Sequence, residues 1–145
     1  MAITQAVCNS FKAELLGGVH DFDSGSGQAF NLALYTSAAN LSAATTIYTT
    51  SSEVADTGQY AAGGGVLQSQ QVSLDTGVAI VNFANLSFTG VTLTAGGALI
   101  YNNTTSATKR AVCVLSFGGD KTATAGTFTI QFPAFTSAAA ILRIA

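Results

Sequence analysis

The stretch Phe30–Thr36, FNLALYT, sets Phe30, Leu32 and Leu34 on one side of an extended chain and Asn31, Ala33 and Tyr35 on the other. An apolar period of two marks a half-buried β-strand, because successive side chains leave a strand on opposite faces. The same pattern recurs from this segment onward. Further strands are expected at Thr45–Thr49, Val66–Leu74, Val78–Phe83, Ser87–Thr94, Ala98–Tyr101, Arg110–Phe117, Thr127–Phe132 and Ala139–Ile144. Turn chemistry separates them at Asp75-Thr76-Gly77, Ala95-Gly96-Gly97, Asn102-Asn103 and Gly118-Gly119-Asp120.

Short strands at intervals of roughly ten residues, with no repeating helical pattern between them, describe an antiparallel sandwich, jelly roll or barrel rather than βαβ units. One helix is expected ahead of them, over Ser10–Leu16. Phe11 and Leu15 share its apolar face, Val7 extends that face backward, Asn9 or Ser10 caps the start and Gly17-Gly18 ends it. A two-turn helix is marginal alone, so it must lie against the domain's own sheet or a neighbouring subunit. The expected fold is therefore all-β, an antiparallel β-sandwich or jelly-roll-like domain over residues 23–145, preceded by an N-terminal arm and short helix over residues 1–22. Ser51–Gly65, SSEVADTGQYAAGGG, carries no clear period and is expected to be an exposed excursion.

Composition narrows the function. Only 8% of the 145 residues are charged, against roughly 25% in an average soluble domain. One His, two Cys, no Trp and seven scattered carboxylates leave acid/base, nucleophilic and metal mechanisms without their usual parts. The net charge is −2, and the five bases form no cluster beyond Lys109-Arg110, which argues against a nucleic-acid partner. Mean hydropathy is +0.43, yet no apolar run approaches the 18 or so residues of a spanning helix, so no membrane is expected. The N-terminal segment lacks the basic start and apolar centre of a secretory signal, which points to synthesis in a reducing cytosol. Cys8 and Cys113 follow no disulfide spacing and are expected as buried or half-buried free thiols. The sequons at Asn40, Asn85, Asn102 and Asn103 are then by-products of an Asn/Ser/Thr-rich composition.

Local motifs add no site. His20-Asp21-Phe22-Asp23 is where the imidazole meets carboxylates, but no further His or Cys lies near in sequence, and a polar loop is expected. DFDSGSG from Asp21 begins like a calcium loop, then places Ser26 at position six and Leu32 at position twelve, where such a loop needs Gly and Glu. Ala61–Gly65 and Phe117–Thr122 are Gly-rich without phosphate-loop spacing. The second is expected to be a hairpin turn with Asp120-Lys121 near its tip. Among the acids Asp21, Asp23, Asp56 and Asp120, the first two alone share a loop, which gives little ground for a glycosidase pair. Phe83, Phe88, Phe117, Phe128, Ile130 and Phe132 are expected in the core.

Several stretches together resemble a family of small β-rich virion proteins of tailed bacteriophages. They are NSFKAELLGGVHDF (9–22), FNLALYTSAANL (30–41), TTIYTTSSEV (45–54), TGQYAAGGGVL (57–67), GALIYNN (97–103), VLSFGGDKTATAGTFTIQFP (114–133) and AILRIA (140–145). The resemblance implies a non-enzymatic capsid decoration or cement protein on the outer surface of the head, made in the host cytoplasm and carried in the virion. Its partners would be the major capsid protein and further copies of itself, as a dimer or trimer. The alternative is a tail, baseplate or fibre subunit. No catalytic, cofactor or metal residues carry over. The contact residues expected from amphipathicity and loop length are Phe11, Leu15 and Leu16 on the helix and Tyr60 on the excursion.

Overall fold

In the computed structural model, which describes residues 2–25, 27–104 and 108–145, two antiparallel sheets share one hydrophobic core. The elements are β1 (Ala6–Val7), α1 (Asn9–Leu16), β2 (Phe30–Tyr35), β3 (Gly65–Val66), β4 (Gln71–Asp75), β5 (Val78–Asn82), β6 (Leu86–Asn102), β7 (Ala111–Ile130) and β8 (Leu142–Ile144). The larger sheet runs β1-β7-β6-β2-β3 and the smaller runs β4-β5-β8. The fold is all-β and sandwich-like, with one short helix.

β2 is the centre. All six of its residues are buried, so the alternation in FNLALYT reports two covered faces rather than one. Its Phe30 stacks on Phe22 with ring centroids 4.2 Å apart, and Phe83 and Phe132 continue the aromatic contacts toward the smaller sheet. On one edge β2 pairs with β6, from Phe30↔Asn102 to Tyr35↔Gly97. On the other it meets β3 and then the chain at Ser52–Val54, where Val54 N–H donates to Leu34 O and Thr36 N–H to Ser52 O, both at 2.9 Å.

Several expected boundaries move, each for a local reason. Ser87–Thr94 and Ala98–Tyr101 fuse into β6, and Arg110–Phe117 and Thr127–Phe132 fuse into β7. Ala95-Gly96-Gly97 is strand interior, and Gly118-Gly119-Asp120 is no hairpin turn. Ala95 pairs with Lys121 and Gly97 with Ser116, so the four residues 117–120 bulge opposite Gly96 alone. Gly118 and Gly119, at φ 73° and 147°, accommodate the bulge. Val66–Leu74 divides between the two sheets at Ser69, whose φ is 53°. Thr45–Thr49 makes a single bridge, Ile47↔Arg110, instead of a strand. β8 begins late because residues 136–140 form a turn, with Ala139 and Ala140 N–H donating to Thr136 O. Asp75-Thr76-Gly77 does turn the chain: Thr76 and Gly77 both take positive φ, 48° and 85°, between the paired ends Asp75 and Val78.

Of the aromatic residues expected in the core, Phe83, Phe88, Phe128 and Phe132 are buried and Phe117 packs against them half-buried; Ile130 is buried with them. Residues 2–22 contribute to this same core through Cys8, Phe11 and Phe22, while β1 pairs with β7 and Ile3 bridges Leu41.

Candidate functional site: an apolar groove beside a pinned helix

The helix stands against its own domain. Its N-cap is Cys8, with no side-chain cap, rather than Asn9 or Ser10; Gly17 closes its C-terminus and Gly18 follows at φ 75°. Phe11, 4% exposed, is the buried residue of the helix and lies 4.9 Å from the His20 ring and 6.0 Å from Phe22.

Opposite the apolar anchor sits an ionic one. Glu14 Oε1 lies 3.1 Å from His20 Nε2, and Arg110 Nη1 donates to Glu14 Oε2 at 2.5 Å. Asn102 Nδ2 lies 3.1 Å from His20 Nδ1 and donates to Gln28 Oε1 at 2.7 Å. Because an amide nitrogen only donates, His20 Nδ1 accepts, and the ring proton sits on Nε2, facing Glu14. His20 is therefore a buried, neutral pin between α1 and the end of β6, set in the expected loop between α1 and β2, where Asp21 and Asp23 stay exposed. Burial pushes its pKa down, and the bond to Glu14 offsets only part of this. Burial also opposes the Glu14 charge, but the hydrogen bonds from His20 and Arg110 outweigh it and hold the carboxyl below its usual range.

Both shifts favour the fold at higher pH. The His20 contribution is complete above its ordinary value of 6.5 and is lost as pH falls through its lower folded pKa; that of Glu14 is lost further down. The thermal unfolding temperature is thus expected to fall between pH 7 and 5, and His20→Gln to flatten this limb. An equally steep limb in the variant would contradict the pin.

Beside the helix lies a groove of about 650 Å³, lined among others by Phe11, Leu15, Leu16, Val72, Val81 and Ile144. Its floor follows from register. Val72 pairs with Val81 and Val81 with Leu142, while Leu74 pairs with Ala79 and Ala79 with Ile144. Directly paired residues share a face, so one face of the smaller sheet presents six apolar side chains in two rows. Val81 and Leu142 pack into the core. The outer members do not: Val72 is 56% exposed, Leu74 73% and Ile144 57%, and across the groove Leu16 is 91% exposed.

The expected contact residues therefore part company. Leu16 is fully presented and Leu15 half-buried, whereas Phe11 and Tyr60 lie inside the chain, Tyr60 at 1% exposure. Tyr60 Oη accepts from Leu34 N–H and donates to Glu53 Oε1, both at 2.8 Å. The excursion Ser51–Gly65 is thus anchored on β2 at Val54 and Tyr60, while Ala55, Asp56, Gly58, Gln59, Ala61 and Ala62 stay exposed as expected.

Both thiols are inward. Cys8 and Cys113 are free and buried; burial pushes the Cys8 thiol up to about 11 and the Cys113 thiol further. In the run from Asp21, Asp21 Oδ1 accepts from Asp23 N–H and Asp23 Oδ2 from Gly25 N–H; Ser26 lies outside the described residues. Among the described residues no three His, Cys, Asp or Glu side chains converge as metal ligands. Comparison with known protein families, characterised proteins and solved structures finds no match to this chain.

Proposed function

We propose that the chain is a non-enzymatic structural protein of a tailed-phage virion, a capsid decoration or cement protein that binds the outside of the head lattice and associates with copies of itself. The observation that supports this reading best is the open groove between α1 and the smaller sheet, where Leu16, Val72 and Ile144 face solvent together, with Leu74 exposed on the same sheet face. Contiguous exposed apolar surface of this kind is characteristic of association sites. The inward placement of Glu14, His20, Glu53 and both thiols also suits a protein that acts by packing. The low charge of the chain, 8% of its residues, lowers the desolvation cost of burying its surface against a shell.

The test is the copy number per purified particle, by quantitative mass spectrometry against the major capsid protein. The expected result is a number comparable to that of the capsid protein. A few copies per particle would move the chain to the tail or a vertex, and absence would remove the virion reading.

A further inference from the structure

We infer that β4 is a self-association edge: two copies of this chain pair β4 to β4 antiparallel across a two-fold axis at Ser73, joining their smaller sheets into one six-stranded sheet. This extends the reading above by naming one of its partners and the surface it takes. β4 is the edge of its sheet, and Gln71–Leu74 are all exposed. It has no Pro, no Lys and no bulge against β5, and its one charge, Asp75, sits at its turn end.

The hydrogen-bonding phase of the hairpin selects the register. In a two-residue hairpin the closing pair, here Asp75↔Val78, exchanges both of its backbone bonds. Asp75, Ser73 and Gln71 therefore turn their N–H and C=O groups toward β5, and Val72 and Leu74 turn theirs outward. An axis at Ser73 sets Val72 opposite Leu74 of the second copy and Leu74 opposite its Val72, so that all four outward groups are bonded. An axis at Val72 would oppose Leu74 to Gln70, and one at Leu74 would oppose Val72 to Thr76, which sits in the turn at φ 48°.

The charges agree with the same register. Asp75, the charged residue of β4, lies opposite Gln71 of the second copy, an amide donor, and the two carboxylates stay apart. On the apolar face, Val72 and Leu74 of both copies meet at the seam, while β8 with Ile144 forms the far edge of each copy. An interface of this kind is isologous and closes at two copies.

The experiment uses the purified full chain without particles, so its outcome is independent of copy number in the virion. Light scattering is expected to give twice the 14.6 kDa chain mass, and Val72→Lys with Leu74→Lys to return it to one. Both side chains are largely exposed, so a cooperative thermal transition verifies that the variant is folded, at a temperature lowered only by the loss of association. Ser73→Cys gives a second readout. Residues facing each other in a non-hydrogen-bonded antiparallel pair have Cα atoms about 4.5 Å apart, within disulfide reach, and the native thiols are buried. Mild oxidation should link this variant into covalent dimers much faster than Ser51→Cys on the excursion. A wild-type monomer at a concentration on the order of 100 µM, a dimer that survives the double lysine variant, or equal oxidation of the two cysteine variants would each overturn the assignment.

Discussion

Replacing Gly64 with alanine is expected to cost about 4 kcal/mol of the 5–15 kcal/mol that holds a domain folded, and to lower the unfolding temperature by roughly 15 °C. The excursion returns to the sheet at this residue. Gly64 has φ +76°, and a Cβ built on it would stand 1.8 Å from Leu32 O, 2.6 Å from Leu32 C and 2.8 Å from Ala33 Cα. All three atoms belong to the backbone of β2, which is bonded to β6 on one side and β3 on the other, so it has little freedom to withdraw. The positive φ alone costs about 1–2 kcal/mol for an L-residue; the close approach adds the displacement of packed backbone. Gly77→Ala separates the two effects, since Gly77 has φ +85° with nothing within 4 Å of its virtual Cβ. That variant should lose about 1 kcal/mol, measured by the same thermal and denaturant unfolding. If both alanine variants lost equally little, the tight seat of the excursion on β2 would be wrong.

How much of this was legible in the sequence depended on whether the deciding contact is local. The strand in FNLALYT, the turn at Asp75-Thr76-Gly77 and the helix end at Gly17-Gly18 follow from periodicity or positive φ within a few residues, and the structure places them there. Glycine pairs inside a long strand carry the same local signature as a turn. Whether Gly118-Gly119 reverses the chain or bulges it is decided by β6, some twenty residues earlier. The groove divides in the same way. Leu15 and Leu16 could be read from the helix, but Val72, Val81 and Ile144 become its opposite wall only through the pairing of β4, β5 and β8. Tyr60 was legible as an aromatic on an unpatterned loop, and its burial was not, because the carboxylate that draws it inward was not singled out. The one available signal for Glu53 was its position, shared with Asp56, between Tyr48 and Tyr60 in a stretch rich in Ser and Thr.

That carboxylate carries the second large effect: Glu53→Ala is expected to cost about 3 kcal/mol, because hydrogen bonds to a charged group contribute about 1.5–3 kcal/mol each and are not additive. Glu53 Oε2 accepts from Tyr48 Oη at 2.6 Å, and Oε1 accepts from Tyr60 Oη at 2.8 Å and from Gly63 N–H at 2.6 Å. Tyr48 stacks on Tyr101, whose hydroxyl donates to Gly63 O at 2.6 Å. The excursion is thereby tied down at both ends, and truncation leaves a buried phenol and a backbone N–H without their acceptor. Glu53→Gln keeps an acceptor and should lose about half as much. An optical signature separates this clasp from simple packing. All four tyrosines have pKa values raised above the ordinary 10.0, by burial first and by the Glu53 charge in addition. Their contribution to stability is therefore complete below pH 10 and is lost as pH rises further. In the wild type, phenolate absorbance should appear late and together with alkaline unfolding. In Glu53→Gln, loss of the negative charge should let half-buried Tyr48 ionise at lower pH, ahead of unfolding. A variant whose tyrosines titrate like those of the wild type would show that Glu53 does not hold the excursion through these phenols.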